Sequence, residues 1–227
     1  KEGFDSYAVR AKANEPNLGR ELVNAATPDI KESKRLLLWA HFMAPHQPYE
    51  PIEPYRTQSL VGPSILANNQ SLMLAHKNPS AEEENFSAYR DLYDAEIATA
   101  NQYMHEFFTL LDEQYRNAGR GGLLDNAIIV FFSDHGEELA DRHGYFLHAK
   151  SLYRSVIQVP LVIVDKNKSF EVVKEDIALQ EVLSHLLNGT PLSDGPFFAT
   201  WHDQFFAMRD ERFTFVHNPQ SNIHGPI

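Results

Sequence analysis

Two short apolar runs, each followed directly by a loop that contains a histidine, constrain the fold more than any other feature. Residues 36–42 lead into a proline-rich loop with His46, and residues 127–132 lead into a Ser-Asp-His-Gly sequence at 133–136. Nearly continuous apolar runs of this length are typical of strands buried on both faces of an α/β sheet. Because ligands collect outside the carboxyl ends of strands in open α/β sheets, we expect both loops to border one pocket.

A long helix is expected from Phe86 onward. Its apolar residues recur at intervals of three and four, the spacing of one buried helical face: Tyr89, Tyr93, Ile97, Ala100, Met104, Phe108 and Leu111. Asn117 and the glycines that follow are expected to end it. Residues 50–85, rich in Pro, Asn, Ser and Glu, predict a long surface loop with one short helix near residues 71–76.

Strand and helix continue to alternate after the Ser-Asp-His-Gly sequence. Residues 159–164 predict another buried strand. Asp176 is expected to cap a helix whose leucines share one face and which ends at Gly189.

Three short runs near the carboxyl terminus are spaced like a small antiparallel meander: residues 197–201, 205–209 and 212–217. One domain is the default for 227 residues of ordinary globular composition. We therefore predict a single α/β domain, with a mixed sheet flanked by helices over residues 1–195 and the β meander over residues 196–227.

Charge and composition disfavour several classes of function. A net charge of −11 argues against a surface for nucleic acid, which needs clustered Lys and Arg. No apolar run approaches the roughly 20 residues of a membrane-spanning helix, and no signal peptide can be read at the first residues. The sequence contains no cysteine, so any metal must use oxygen and imidazole ligands.

Asp134 and His135 form the first candidate site. A carboxylate beside an imidazole at the end of a strand suits a divalent metal ion. The alternative is that Asp134 caps a following helix and His135 is an ordinary surface residue.

Three further residues are candidates for binding an anion. His148 and Lys150 are two positions apart, and together they offer a proton donor and a compact positive charge. The alternative is an exposed lysine and a packed histidine. His46 lies between prolines, which either aim its ring into a cleft or simply form a rigid turn around it. Spacing alone leaves these alternatives open.

In this order, the segments resemble the sulfatase family of the alkaline phosphatase superfamily. Residues 45–49, Pro-His-Gln-Pro-Tyr, are similar to a family loop whose histidine contacts the sulfate or phosphate group. Residues 128–138 resemble the segment whose Asp-His or Asp-Asn pair binds the metal. Residues 144–153 resemble the segment in which a His or Lys faces the anionic group. Residues 93–97 and 206–219 resemble a helix and the closing hairpin of the same fold.

The resemblance implies an alkaline-phosphatase-like sheet and the hydrolysis of a sulfuric ester, with Asp134 and His135 as metal ligands. Oxygen-rich ligands favour calcium, with zinc and manganese as alternatives. His46 and Lys150 would neutralise charge on the transferred group, and His148 would bind it or protonate the leaving oxygen. The substrate would be a sulfated or phosphorylated small molecule, glycan or lipid. The family suggests an extracytoplasmic compartment, although the sequence itself identifies none.

The sequence departs from the family pattern in one respect. Two metal-binding Asp residues on an early strand, followed by a Cys or Ser in a Cys/Ser-x-Pro-x-Arg setting that becomes formylglycine, are not found here. We therefore expect the carboxyl-terminal half to two-thirds of a sulfatase-like domain, catalytically incomplete by itself. Uncovered strand edges would favour a homo-oligomer or a complementing amino-terminal fragment.

Two alternative functions remain open from the sequence. The first is a phosphoesterase, phosphonate hydrolase or phosphoryl-group transferase of the same superfamily with a Ser or Thr nucleophile. The second is a non-catalytic binding domain that retains the fold.

Overall fold

The computed structural model describes residues 15–58, 83–139, 146–148, 151–169, 171–172, 176–201, 205–210 and 212–217. Its helices are α1 (Glu15–Lys31), α2 (Tyr55–Gln58), α3 (Glu83–Asn117), α4 (Arg154–Ile157) and α5 (Leu179–Asn188), with a 3-10 turn at Leu123–Asp125. Its strands are β1 (Ile129–Phe132), β2 (Glu138–Leu139), β3 (Phe146–Leu147), β4 (Leu161–Val164), β5 (Phe197–Trp201), β6 (Phe205–Arg209) and β7 (Thr214–His217). The fold is α/β, as predicted. No helix among these is long and apolar enough to cross a membrane.

The chain forms two compact units. The first consists of Lys1–Ile129 with Val164–Lys166, and the second consists of Val130–Ile163 with Asn167–Ile227. The division predicted from the sequence, residues 1–195 and 196–227, stays a prediction.

The first unit is built on the packing of α1 against α3. The buried residues of α1 are spaced by three and four, so they share one face: Glu15, Gly19, Val23, Ala26 and Ile30. A Cβ at Gly19 would lie 2.9 Å from the Cβ of Phe107 on α3, so glycine permits the close approach of the two helices. Val23, Ala26 and Ile30 pack with Phe107, Leu111, Tyr115 and Leu123 to form the core.

Helix α1 was not predicted from the sequence. Two of its five buried positions are Glu15 and Gly19, and Pro28 lies inside the helix. These residues break the apolar pattern, although the spacing of the buried positions is helical.

Residues 36–42 differ from the predicted strand. Every second residue packs against the core, namely Leu36, Leu38, Ala40 and Phe42. Leu37 and Trp39 are each 55% exposed. The segment has the alternation of a strand, but no described strand pairs with it, and it is covered on one face rather than on two.

The long helix is confirmed as α3, which begins a turn earlier than expected and ends at Asn117. Gly119 and Gly121 follow it with φ angles of 73° and 79°, a left-handed region that glycine adopts without steric cost. The helix expected near residues 71–76 lies outside the described residues.

In the second unit, β1 pairs with β4, and both predicted strands are confirmed with shorter bounds. The expectation that both are fully buried is wrong. Phe131 on β1 and Val162 and Ile163 on β4 are 38–49% exposed, because no described element covers these faces.

The carboxyl-terminal meander is confirmed. β5 pairs antiparallel with β6, and β6 pairs antiparallel with β7. Gly189 ends α5 with a φ of 68°, as predicted, but the predicted cap is wrong. Ala178 occupies the cap position, while the Asp176 carboxylate accepts a hydrogen bond from Nε of Arg209 on β6.

Truncating Ile30 tests the core between α1 and α3. We expect Ile30→Ala to lower the free energy of unfolding by about 2–5 kcal/mol, because its side chain is fully buried and the cavity would be only partly refilled. Urea denaturation measures the change. Asn24→Ala, at an exposed position of the same helix, is the matched control and should change stability by less than about 0.5 kcal/mol. Equal losses in both variants would contradict the assigned packing.

Candidate active site

The turn after β1 is fixed by hydrogen bonds within itself. The Ser133 hydroxyl donates to the backbone carbonyl of His135 at 2.6 Å, and Oδ1 of Asp134 accepts from the His135 amide at 3.0 Å. The side chain of Asp134 is 58% exposed. The turn continues into β2, so Asp134 caps no helix, and that alternative is wrong.

Gly136 holds this turn against α4. Its amide donates to the carbonyl of Val156 at 2.7 Å. A Cβ at position 136 would lie 2.0 Å from the backbone oxygen of Ser155, far inside van der Waals contact. Only glycine therefore fits between the Asp-His pair and α4.

The ring of His135 is oriented by the backbone. Its Nδ1 lies 2.8 Å from the carbonyl oxygen of Gly136, which can only accept, so Nδ1 is the donor, and the neutral form of the ring has its lone pair on Nε2. Nε2 lies 3.9 Å from Oδ1 of Asp134. Metal-binding histidines commonly donate their second nitrogen to a carbonyl or carboxylate, which fixes the tautomer in this way.

The antiparallel pairing of β2 with β3, two residues long in each strand, brings His148 next to the turn that carries Asp134 and His135. Glu138 pairs with Leu147 in the antiparallel β2–β3 ladder, so the residue after β3 lies beside the residue before β2. Nδ1 of His148 is 3.0 Å from Oε1 of Glu137. The rings of His148 and His135 are in contact, with centroids 4.0 Å apart and planes tilted by 32°.

The contact between Glu137 and His148 is largely shielded from solvent. The side chains are 5% and 15% exposed, respectively. The hydrogen bond to the Glu137 carboxylate raises the pKa of His148 above its ordinary value, against the opposing effect of burial.

A second buried acid secures the chain on the other side of His148. Glu138 on β2 is buried, and its carboxylate accepts a hydrogen bond of 2.9 Å from the Ser151 hydroxyl. This hydrogen bond connects Ser151, three residues after His148, to β2. The local pattern does not mark Glu137 and Glu138 as functional, because two acids in succession after the Asp-His pair are also typical of an exposed turn.

In the first unit, two buried glutamates hold the loop that carries His46. Glu15 on α1 accepts hydrogen bonds from the amides of Met43 and Ala44. Glu96 on α3 accepts from the amide of Glu50.

The neighbouring backbone and His46 itself complete this arrangement. The Thr99 hydroxyl accepts from the Ile52 amide at 3.2 Å and donates to the Ala95 carbonyl. Nδ1 of His46 lies 2.6 Å from the carbonyl oxygen of Gln47. No local pattern links Glu15 or Glu96 to this loop, since 28 and 46 positions separate the hydrogen-bonded residues.

The structure thus brings together three of the five residues predicted for the site, Asp134, His135 and His148. His46 belongs to the other compact unit, and Lys150 lies outside the described residues. No group of three or more His, Asp or Glu side chains within the described ranges is arranged to hold a metal ion.

Asp134 and His135 nevertheless fit a shared cation as two of its ligands. The 3.9 Å between Nε2 and Oδ1 is less than two metal–ligand bonds placed end to end, roughly 4.4 Å. Two ligands alone do not complete the coordination shell of a divalent ion.

An α/β fold with a carboxylate and two imidazoles in contact at the end of a strand defines a candidate hydrolytic site. A family model described as Sulfatase matches residues 18–191, well over half of the chain, and that span includes all five residues predicted for the site. The chain belongs to the sulfatase family, which is a family of hydrolases. A search of curated proteins finds no match.

Substituting Gly136 tests the contact that positions the Asp-His pair. We expect Gly136→Ala to cost about 3 kcal/mol of unfolding free energy, the upper end for overpacking, because a backbone carbonyl cannot swing aside as a side chain does. Thermal or urea unfolding measures the loss. Ser155→Ala is the matched control, since it removes the neighbouring side chain and leaves the backbone carbonyl in place. A Gly136→Ala protein as stable as the parent would contradict this geometry.

Amide hydrogen exchange tests the two glutamates that hold the His46 loop. We expect Glu96→Ala to speed exchange at the Glu50 amide and Glu15→Ala to speed exchange at the Met43 and Ala44 amides. Each variant should also lose about 1–3 kcal/mol of stability, since a buried donor loses its acceptor. Asp94→Ala, exposed on α3, is the control. Identical exchange patterns in both glutamate variants would contradict separate anchoring of the two loop ends.

Proposed function

We propose that this chain carries part of the active site of a metal-dependent sulfuric ester hydrolase. The observation that supports this most directly is the orientation of His135. Its Nδ1 is engaged by the Gly136 carbonyl, so its Nε2 lone pair and the neighbouring Asp134 carboxylate are available to the same cation. Membership of the sulfatase family supplies the reaction class.

Asp134 and His135 would hold a divalent ion in this proposal. Calcium is the first choice because the expected ligands are rich in oxygen, and the imidazole also suits zinc or manganese. When bound, the ion supplies a Lewis acid that screens the anionic oxygens of the ester.

The remaining residues act on the transferred group and the leaving oxygen. His46 and Lys150 would neutralise negative charge on the sulfuryl group. Nδ1 of His148 is committed to Glu137, so proton transfer would use Nε2, donating a proton to the leaving oxygen as the bond from sulfur to that oxygen breaks.

The nucleophile is expected from outside these 227 residues. They contain no cysteine and no Ser or Thr in the Ser-x-Pro-x-Arg pattern, which the family uses to form formylglycine. The substrate would be a sulfated small molecule, glycan or lipid. The same proposal includes an extracytoplasmic compartment. It also includes a homo-oligomer or a complementing amino-terminal fragment that covers the exposed residues of β1 and β4.

A phosphoesterase, phosphonate hydrolase or phosphoryl-group transferase is the second candidate function. The histidine at position 135 keeps it open, because an Asp-His pair in place of Asp-Asn also resembles members of the superfamily that act on phosphorus, so the pair does not fix the leaving group. Relative rates on a sulfate and a phosphate ester distinguish these two candidates.

The test uses the protein expressed from its complete open reading frame, assayed on 4-nitrophenyl sulfate and 4-nitrophenyl phosphate with calcium, manganese or zinc. We expect Asp134→Ala to lower kcat/KM by at least about 100-fold. Loss of a residue that only hydrogen-bonds to a metal ligand typically costs about 10–100-fold, and loss of the ligand itself should cost more. Asp194→Ala, an exposed carboxylate on the same unit, should leave it unchanged. Undiminished ester hydrolysis by Asp134→Ala would rule out the assigned role, and hydrolysis of neither ester by the parent would favour a non-catalytic binding domain.

A further inference from the structure

On the basis of the function proposed above, we propose that Glu137 is a positioning residue for His148. Its carboxylate fixes the ring so that Nδ1 carries a proton and Nε2 is the nitrogen that meets the substrate. Glu137 itself would touch neither the substrate nor the metal ion.

The first support is the hydrogen bond itself. Oε1 of Glu137 lies 3.0 Å from Nδ1 of His148, and the Glu137 side chain is only 5% exposed. An ionised carboxylate has acceptors and no donor, so the nitrogen that faces it must supply the proton. Hydrogen bonds to a charged partner are about twice as strong as neutral ones, which makes this contact the principal restraint on the tautomer.

The second support is the contact between the rings of the two histidines. Their centroids are 4.0 Å apart and their planes are tilted by 32°, so His135 limits the tilt of the His148 ring, while the hydrogen bond limits its rotation within its own plane. A flip of the ring would exchange Nδ1 for a carbon atom opposite the carboxylate. Two restraints on the ring therefore come from the segment 135–137.

The third support is that the neighbouring acids have other partners. Asp134 is largely exposed and lies beside Nε2 of His135, and Glu138 accepts from the Ser151 hydroxyl. Glu137 donates no proton and is the acid of this turn that accepts the hydrogen bond from the His148 ring. Asp134 acts on the same ring through its charge, which also favours the protonated form of His148.

The tautomer can be measured directly on the 227-residue chain with ¹⁵N-labelled histidine. Long-range ¹H–¹⁵N spectra, recorded where the rings are neutral and assigned with His148→Asn, distinguish a protonated from an unprotonated ring nitrogen. We expect His148 in the parent to be protonated at Nδ1. Glu137→Gln should keep that tautomer, because an amide oxygen also accepts, whereas Glu137→Ala should shift it toward protonation at Nε2. Glu171→Ala, an exposed acid, is the control.

Either of two results overturns the inference. One is a parent protein in which His148 is protonated at Nε2, which requires no variant to fold. The other is a folded Glu137→Ala protein, with the remaining histidine signals unchanged, that keeps the tautomer of the parent.

Kinetics on the complete open reading frame separates a positioning role from a purely structural one. We expect Glu137→Ala to lower kcat by about 100-fold on an alkyl sulfate, whose poor leaving group needs a proton, and much less on 4-nitrophenyl sulfate. KM should change little on either ester, and Glu137→Gln should retain more activity than Glu137→Ala. Equal loss on both esters would contradict positioning of a proton donor. A parent without activity on any ester would instead contradict the proposed function, while the tautomer measurement still decides whether Glu137 holds His148.

Discussion

The hydrogen bond between the Gly136 amide and the Val156 carbonyl is the contact on which the site depends. It holds the turn after β1 so close to α4 that a Cβ at position 136 would clash with the backbone of Ser155. The same turn carries Asp134 and His135, and its next residue, Glu137, holds His148. One backbone contact therefore sets the position of a carboxylate and, through short local bonds, of two imidazole rings. Sites built in this way are rigid because their supports are main-chain atoms with few alternative positions.

The two neighbouring imidazoles differ in the group that faces Nδ1. At His135 this group is the backbone carbonyl of Gly136, and at His148 it is the carboxylate of Glu137. A carbonyl orients the ring without adding a charge beside it, and metal-binding histidines are commonly oriented in this way. A carboxylate also stabilises the ring when it carries two protons, which is what a proton donor requires. Rings 4.0 Å apart can therefore have different chemical roles.

The sequence predicted what depends on local pattern and failed where distant residues decide. Periodic spacing identified α3, and short runs with turn residues identified β1, β4 and the meander. The adjacent Asp134 and His135 were identifiable because their spacing in sequence is their spacing in space. The cap assigned to Asp176 failed because Arg209, 33 positions away, competes for the carboxylate. The support of the His46 loop by Glu15 and Glu96 could not be read either, because acids are ordinarily assigned to the surface.

The buried glutamates of both units are stabilised in the same way. Glu15, Glu96 and Glu138 are buried glutamates, Glu137 is nearly so, and each accepts hydrogen bonds from a backbone amide, a hydroxyl or an imidazole. Burying a carboxylate is costly unless donors surround it, so such a residue remains stable only where it orders the groups that donate to it. In both units these groups belong to histidine-bearing segments. Part of the acidic character of the chain thus lies in its interior, where each buried carboxylate orders the segment that donates to it.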